Sequence, residues 1–164
     1  MTAEQPIKPA SVEKNLGDFS DWDALLALLK SSFAYMEDRI DPPSSLHRLD
    51  PKTIQEKAAT EELFFIKNKG KLVACAFMDD RGDHYYLGKV ATDPSLQGSG
   101  LGHEMLEACI NHAKSQKKSY IELQVRVELV ENQRFFEKRG FVKSGETAHV
   151  GYDRPTSYTF RLDL

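Results

Sequence analysis

A glycine-rich segment in the middle of the chain holds the residues whose types and spacing best suit binding chemistry. Residues 90–102 read Val-Ala-Thr-Asp-Pro-Ser-Leu-Gln-Gly-Ser-Gly-Leu-Gly and join an apolar run to an amphipathic one. Glycines at 98, 100 and 102 let the backbone approach a ligand and turn its N–H groups outward. Those donors, with about half a positive charge at a helix N-terminus, suit a pyrophosphate. The alternative is a tight strand-to-helix turn that binds nothing.

Two other phosphate-binding motifs do not fit this spacing. A P-loop requires Gly-Lys-Ser/Thr at its end, whereas Gly102 is followed by His103 and Glu104. A dinucleotide-binding turn has Gly-x-Gly-x-x-Gly after a first strand. Here the glycines are spaced Gly-x-Gly-x-Gly and two predicted hairpins precede them, so both motifs are disfavoured.

Apolar periodicity and turn residues predict the helices and strands that surround this segment. Helical spacing runs from Trp22 to Met36, with Ser20 and Asp23 as a capping pair, and Asp50-Pro51 caps a short helix toward Thr60. A helix of about four turns begins at Leu101, and a short one ends at Arg139 before Gly140. Strands are predicted at residues 63–67, 72–78, 84–92, 120–125, 141–145 and 157–162.

This order of elements predicts an α+β fold with a mixed sheet. Short turns link the first three strands, so they form antiparallel hairpins. The step from residue 84 to residue 125 is strand, helix, strand, which predicts a right-handed parallel crossover.

Composition favours one compact domain over residues 1–164 and excludes several function classes. The chain is 40% hydrophobic and 29% charged, and its net charge of −3 disfavours nucleic acid and membrane partners. Cys75 and Cys109 lie in apolar segments outside any Cys-x-x-Cys pattern, so we expect buried thiols and no metal site. The first residues, 1–5, lack a basic segment followed by an apolar one, and we expect a cytoplasmic location.

Two spaced motifs resemble the GNAT N-acetyltransferase superfamily. Gln97-Gly98-Ser99-Gly100-Leu101-Gly102 is similar to its pyrophosphate loop, Gln/Arg-x-x-Gly-x-Gly/Ala. Phe136 to Phe141 is similar to its second signature, Tyr-x-x-x-Gly-Phe, and Asp93-Pro94 also matches. The resemblance covers about residues 18–162. It implies a mixed, mostly antiparallel sheet with helices on both faces and a splayed strand pair.

The resemblance also implies which residues bind acetyl-CoA. The backbone of Val90 and Thr92 is expected to hold the pantetheine arm, with the Val90 N–H facing the thioester carbonyl, where such a donor is worth about 10²–10³ in rate. The loop residues Gln97, Gly98, Ser99, Gly100, Leu101 and Gly102 are expected to bind the pyrophosphate. Phe136 replaces the tyrosine that protonates the thiolate in many members. Leu129 replaces a common asparagine, so Asn132 is expected to contact the cofactor or start the helix.

Direct attack by an amine requires a proton acceptor, because an alkylamine of pKa about 10.4 is only about 0.1% neutral near pH 7.4. Tyr86 lies four residues before Val90 and His84 six, so we expect both on the same strand face as Val90, and Glu122 and His149 are further candidates. The leaving thiol could take its proton from Tyr152, Tyr158 or Tyr86, or leave unassisted. We therefore expect Val90, Tyr86 and Tyr152 among the catalytic residues, with the base left open.

The predicted function is transfer of acetyl from acetyl-CoA to a primary amine of a small molecule or peptide. A non-catalytic acyl-CoA-binding module and a transferase for another acyl-CoA are the alternatives. Loops 39–48 and 149–157 are expected to line the acceptor site. A homodimer is an expectation of the family alone, and the sequence does not identify the acceptor.

Overall fold

The computed structural model of the protein describes residues 12–164, which form seven strands and four α-helices. The strands are β1 (Glu13–Lys14), β2 (Glu62–Asn68), β3 (Lys71–Asp80), β4 (His84–Thr92), β5 (Tyr120–Arg126), β6 (Val142–Thr147) and β7 (Ser157–Asp163). The helices are α1 (Trp22–Phe33), α2 (Pro51–Thr60), α3 (Leu101–Ser115) and α4 (Val130–Arg139). Every predicted helix and strand is present, and the two-residue β1 was not predicted.

The strands form one sheet in the order β1-β2-β3-β4-β5-β7-β6. All neighbours are antiparallel except β4 and β5, which confirms a parallel crossover through α3. Their pairing is limited to His84 with Tyr120, Tyr85 with Ile121 and Tyr86 with Glu122. Beyond Tyr86 the two strands separate, so the predicted splayed pair is confirmed.

Helices cover both faces of this sheet, as predicted. On one face α3 buries Met105, Cys109 and Ile110 against the strands. On the other face α1 and α2 bury Leu25, Leu29 and Ile54. Burying apolar stripes on both sides of the sheet gives two hydrophobic clusters, and both predicted buried thiols, Cys75 and Cys109, lie within them.

One predicted cap is confirmed and another is wrong. The Asp50 carboxylate accepts the Thr53 N–H at 2.8 Å, and the Thr53 hydroxyl accepts the Asp50 N–H at 2.9 Å, which forms a capping box on α2. Helix α1 instead has Asp21 at its N-cap and no side-chain capping bond. Asp21 pairs with Lys67 at 2.8 Å, so a tertiary ion pair takes the place of the predicted Ser20 and Asp23 cap.

The segment after α1 departs from the predicted single helix to Met36. The α-helix ends at Phe33, and a 3₁₀ turn continues over Ala34–Met36. A second 3₁₀ turn, Ser45–Arg48, lies inside the predicted loop. These turns redirect the chain across the opening between β4 and β5. Within residues 12–164, no helix is long and apolar enough to cross a bilayer.

Candidate active site

Where β4 and β5 separate, the sheet opens into two adjoining cavities. The first, of about 620 Å³, is lined by the end of β4, the glycine segment and α4, and we call it the donor cleft. The second, of about 380 Å³, is lined by the middle of β4, β5 and residues 42–48, and we call it the acceptor cavity. Phe33, Val90, Asn132 and Phe136 line both, so the two cavities meet at these four residues.

The glycine segment forms a turn that leads directly into α3. Gly98 and Gly100 have φ of 85° and 92°, in the left-handed region that favours glycine. Gly100 is the N-cap of α3 and makes no side-chain capping bond. Within residues 12–164, no acceptor takes the N–H of Gly98 or of residues 100–103. The mouth of the donor cleft therefore has a row of free donors at a helix N-terminus.

Two amides of the predicted pyrophosphate loop are already used inside the turn. The Gln97 N–H donates to the Pro94 carbonyl at 3.5 Å, and the Ser99 N–H donates to the Leu96 carbonyl at 3.2 Å. The Ser99 hydroxyl also donates to Leu96, and Ser99 does not line the donor cleft. The free amides thus extend one residue further along the chain than predicted, to His103.

A bulge in β4 sets the direction of the residues beside the opening. Phe77 pairs with Gly88 but Cys75 pairs with Ala91, so Lys89 and Val90 together oppose one residue of β3. Lys89 has φ of 52°. Because of the extra residue, Leu87 and Val90 pack on the same hydrophobic cluster. The prediction that Tyr86 and Val90 share a strand face is therefore wrong, since it assumed a regular strand.

Thr92 lines the donor cleft, and its backbone is already held by a buried hydroxyl. The Thr92 N–H donates to Ser32 Oγ at 3.3 Å, and Ser32 is only 4% exposed. This bond joins α1 to the end of β4 and fixes the floor of the cleft. Ser32 was not identified from the sequence, because serines inside helices are usually solvated.

Phe136 and Asn132 lie at the junction of the two cavities, on the inner side of α4. Phe136 packs edge-on against Phe135 and Phe141, at centroid distances of 5.1 and 5.6 Å. The Asn132 amide donates to the Tyr35 hydroxyl at 3.0 Å, and the N-cap of α4 is Leu129, so Asn132 does not cap the helix. Tyr35 also lines the donor cleft. It supplies a hydroxyl there that the sequence did not suggest.

Of the predicted proton acceptors, His149 and Tyr86 line the acceptor cavity. The His149 N–H and ring Nδ1 both contact Thr156 Oγ1, the backbone bond being 2.9 Å. Burial and the nearby Arg126 lower the pKa of His149, so its imidazole is neutral near pH 7. Burial raises the pKa of Tyr86, so its phenol stays protonated and cannot serve as a base.

Four other predicted groups lie outside both cavities, namely His84, Glu122, Tyr152 and Tyr158. His84 stacks on Tyr120 at 4.3 Å, and Glu122 lies 3.8 Å from the His84 ring. The Tyr152 hydroxyl donates to Asp41 at 2.6 Å and so joins the predicted acceptor loops to each other. The structure therefore does not bring Tyr152 to the cavity wall, and its catalytic role stays a prediction.

Two basic residues of the acceptor cavity were missed in the sequence. Arg126 Nη2 donates to the Pro43 carbonyl at 3.2 Å, and Lys89 Nζ donates to Ser45 Oγ at 3.4 Å. Both hold the segment 43–45 over the cavity. Their positions in sequence, one in a strand and one at a strand end, carry no signal that distinguishes them from solvated lysines and arginines.

Comparison with known proteins identifies a family profile that this chain matches. The acetyltransferase (GNAT) family profile matches residues 22–141, which include the donor cleft, both cavity walls from β4 and β5, and the whole of the second motif. No curated protein matches the sequence significantly.

Solved structures with the same fold cover almost the whole chain. PaiA N-acetyltransferase from Thermoplasma acidophilum, in complex with coenzyme A, is 12% identical with a TM-score of 0.79, and the match covers 94% of this chain and 99% of that one. A GNAT family acetyltransferase from Elizabethkingia anophelis with acetyl-CoA bound is 15% identical, with a TM-score of 0.66 and coverage of 94% and 97%. The ribosomal-protein-S18-alanine N-acetyltransferase from Escherichia coli is 20% identical, with a TM-score of 0.64 and coverage of 92% and 94%. At these identities the resemblance establishes a shared fold.

Proposed function

Because the chain belongs to the acetyltransferase (GNAT) family, we propose that it transfers the acetyl group of acetyl-CoA to a primary amine by direct attack. The observation that carries this proposal is the row of free amides at residues 98 and 100–103, at the mouth of a cleft that adjoins a second cavity. If acetyl-CoA binds in the donor cleft and the amine binds in the acceptor cavity, the two substrates meet where the cavities share a wall. Val90, Phe33, Asn132 and Phe136 form that wall.

The residues of the donor cleft suit coenzyme A. The free amides and the N-terminal dipole of α3 favour the pyrophosphate. Beyond Tyr86, β4 has no partner strand on the β5 side, so its backbone is available to the amide-containing pantetheine arm. In this arrangement the backbone of Val90 and the carbonyl side of Thr92 hold the arm, and the Val90 N–H points to the thioester oxygen.

The bound thioester supplies the acetyl group: the amine nitrogen bonds to the carbonyl carbon, the C–S bond breaks and the thiolate leaves. The amine proton must pass to a base, because an ammonium cannot attack. His149 suits this role, since its neutral imidazole lines the acceptor cavity. Nδ1–H donation to Thr156 Oγ1 would leave Nε2 as the acceptor, and Thr156 in turn contacts the Thr147 carbonyl.

Departure of the thiolate does not require the aromatic residue of the second motif. Phe136 has no hydroxyl, and a thiol of pKa about 8.5 leaves readily as thiolate. The Tyr35 hydroxyl, hydrogen-bonded to Asn132 in the donor cleft, can take the place of a tyrosine at position 136. We propose that Tyr35, rather than Tyr152 or Tyr158, protonates the thiolate.

Binding and turnover of acetyl-CoA test this proposal separately. Coenzyme A at 100 times its Kd should stabilise the folded chain by about 2.7 kcal/mol and raise its Tm. With acetyl-CoA and a mixture of primary amines, release of free thiol should depend on the amine. Stabilisation without amine-dependent thiol release would indicate a binding module, and absence of stabilisation would contradict the assignment of the donor cleft.

A further inference from the structure

The acceptor cavity carries a positive charge that the whole chain does not. Its ionisable lining residues are Arg48, Lys89 and Arg126, with His149 and Tyr86, and no aspartate or glutamate of residues 12–164 lines it. The complete chain is acidic, with 25 acidic and 22 basic residues. The cavity is therefore positively charged, whereas the protein as a whole carries a net negative charge.

The cations of this cavity have no carboxylate partner. Among the described residues, no Asp or Glu oxygen lies within 4.0 Å of the Arg48, Lys89 or Arg126 side-chain nitrogens. Nη1 of Arg126 is buried with no hydrogen-bond partner, and Nη2 has only the Pro43 carbonyl. Burial lowers the pKa of Arg126 and of Lys89. The charge of Glu128 acts on Arg126, but the two form no ion pair within 4.0 Å, and Glu128 Oε1 is also buried without a hydrogen-bond partner. A half-buried guanidinium without a directly paired carboxylate is costly, and this one lines an open cavity.

The carboxylates nearest to these cations are engaged elsewhere. Glu61, which faces Lys89, is held by Lys57 at 2.6 Å. Glu128 Oε2 accepts the Asp41 N–H at 3.0 Å, and Asp41 accepts the Tyr152 hydroxyl at 2.6 Å. The charge of Glu61 acts to raise the pKa of Lys89, and those of Glu128 and Asp41 act to raise the pKa of Arg126, but burial outweighs them and none of these acids lines the cavity.

Lys89 reaches the cavity through a strained backbone. Its φ of 52° falls in the left-handed region, which is unfavourable for residues other than glycine. The β4 bulge that holds Lys89 there turns Val90 toward the junction of the two cavities. The same irregularity thus positions a cation in the acceptor cavity and a backbone amide beside the donor.

We propose that the acceptor is an amine that also carries a carboxylate, as an amino acid does, and that Arg126 and Lys89 bind this carboxylate. This inference rests on the proposed acetyl transfer and specifies its substrate class. A planar guanidinium suits a carboxylate, and a cavity of about 380 Å³ is of the size that holds a small molecule. A polyamine, whose groups are all cationic, would be repelled.

The test compares amino acids with their own carboxamides as acetyl acceptors at saturating acetyl-CoA. An amino acid and its carboxamide have the same side chain and primary amine, and only the amino acid carries the negative charge. The amine of the carboxamide is less basic, so a larger fraction of it is neutral at a given pH. We expect kcat/KM to be at least tenfold higher for the preferred amino acids than for their carboxamides or for spermidine. O-phosphoethanolamine against ethanolamine distinguishes a phosphate from a carboxylate.

Variants connect this preference to the proposed residues. Arg126→Gln and Lys89→Met should raise KM for amino acids about tenfold or more, with a smaller change in kcat, and bring the ratio to carboxamides toward one. Arg126→Lys should keep part of the preference. Arg161→Gln is the control, because Arg161 is paired with Asp163 outside the cavity and its loss removes the same charge. This variant should keep the full preference for amino acids. Retained stabilisation by coenzyme A shows that each variant is folded.

The outcomes separate this inference from the proposed function. Equal or better use of carboxamides, spermidine or O-phosphoethanolamine by the parent protein would overturn the carboxylate assignment alone, as would a preference unchanged in both variants. If no amine of the panel supports thiol release while coenzyme A still binds, the proposed transfer itself fails.

Discussion

At the scale of single residues, the junction of the two cavities is apolar and has polar side chains on either side. Phe136 and Phe33 give it an apolar wall, whereas the polar groups at its edge are Asn132 and the Tyr35 hydroxyl. His149 lies in the acceptor cavity, with Thr156 fixing its ring. In the proposed mechanism, the two side chains that move protons, His149 and Tyr35, therefore line different cavities.

His149→Gln tests the base through the pH dependence of kcat/KM. The amine alone gives a slope of one in log kcat/KM against pH below its own pKa. With His149 as base, the slope becomes two below the pKa of His149, which burial places under the usual 6.5, because two groups must then lose a proton. The variant should lose about 10²–10⁴-fold in rate and show a slope of one throughout.

The control for this experiment is His84→Gln, because His84 is stacked on Tyr120 and lies outside both cavities. It should retain the steeper acid limb. A profile that keeps the slope of two in His149→Gln would assign the proton acceptor to another group.

The source of the proton for the leaving thiolate is tested by exchanging hydroxyls between two positions. Phe136→Tyr should change turnover only modestly, whereas Tyr35→Phe should lower kcat by up to about tenfold while the Kd for coenzyme A stays within about threefold. Steady-state kinetics and calorimetry measure the two effects. A hundredfold gain in Phe136→Tyr would mean that acid assistance had been limiting.

At the scale of elements, two irregularities in an otherwise regular strand and helix create the site. The bulge at Lys89 and Val90 rotates the end of β4, and the glycine turn leaves the first N–H groups of α3 free. An unbroken strand would alternate its side chains regularly through Thr92. The donor cleft therefore lies where the regular hydrogen bonding of β4 and of the start of α3 is interrupted.

Gly100→Val tests the turn. A valine at φ of 92° is strained, and its side chain would project into open space beside the free amides, where nothing lies within 4 Å. We expect coenzyme A affinity to fall at least 100-fold with the sheet intact, as measured by calorimetry and circular dichroism. Gly70→Val is the matched control, since Gly70 has φ of 79° and also nothing within 4 Å, but lies in the β2–β3 turn. Equal loss of affinity in both variants would point to general strain rather than to the donor site.

At the scale of the whole molecule, the sheet separates two hydrophobic clusters and both cysteines are inside them. Cys75 belongs to the α1 and α2 side and Cys109 to the α3 side. Burial raises the pKa of the Cys75 thiol to about 12 and raises that of Cys109 as well. Neither thiol is exposed or ionised in the folded chain at neutral pH.

The native chain should therefore not react with a disulfide reagent such as DTNB over minutes at pH 8, and both thiols should react after unfolding in guanidinium chloride. Absorbance of the released chromophore measures the two thiols directly. Rapid reaction of either thiol in the native chain would show that its cluster opens. The same property keeps the protein's own thiols from contributing to the thiol-release assay.

Most local features of this protein could be predicted from its amino-acid sequence. Apolar periodicity and turn residues predicted each helix and each longer strand, and Asp50 with Pro51 predicted the start of α2. Gly98 and Gly100 identified the donor loop, because a left-handed turn before a helix is a property of a few consecutive residues. Periodicity alone missed the two-residue β1, which exists only through its pairing with β2.

Long-range packing determines which side chains line the two cavities. Lys89, Arg126 and His149 come from three distant segments, and Ser32 and Tyr35 from a fourth, so their proximity depends on long-range packing. One inserted residue in β4 reversed the predicted face of Val90 relative to Tyr86, because side-chain direction alternates with a period of two. Asp21, engaged by Lys67, shows the same effect at a helix end, where a tertiary ion pair outweighed a local cap. Spacing along the chain predicts most of the regular backbone but not the bulge in β4, and the charge and contents of a cavity depend on residues that meet only after folding.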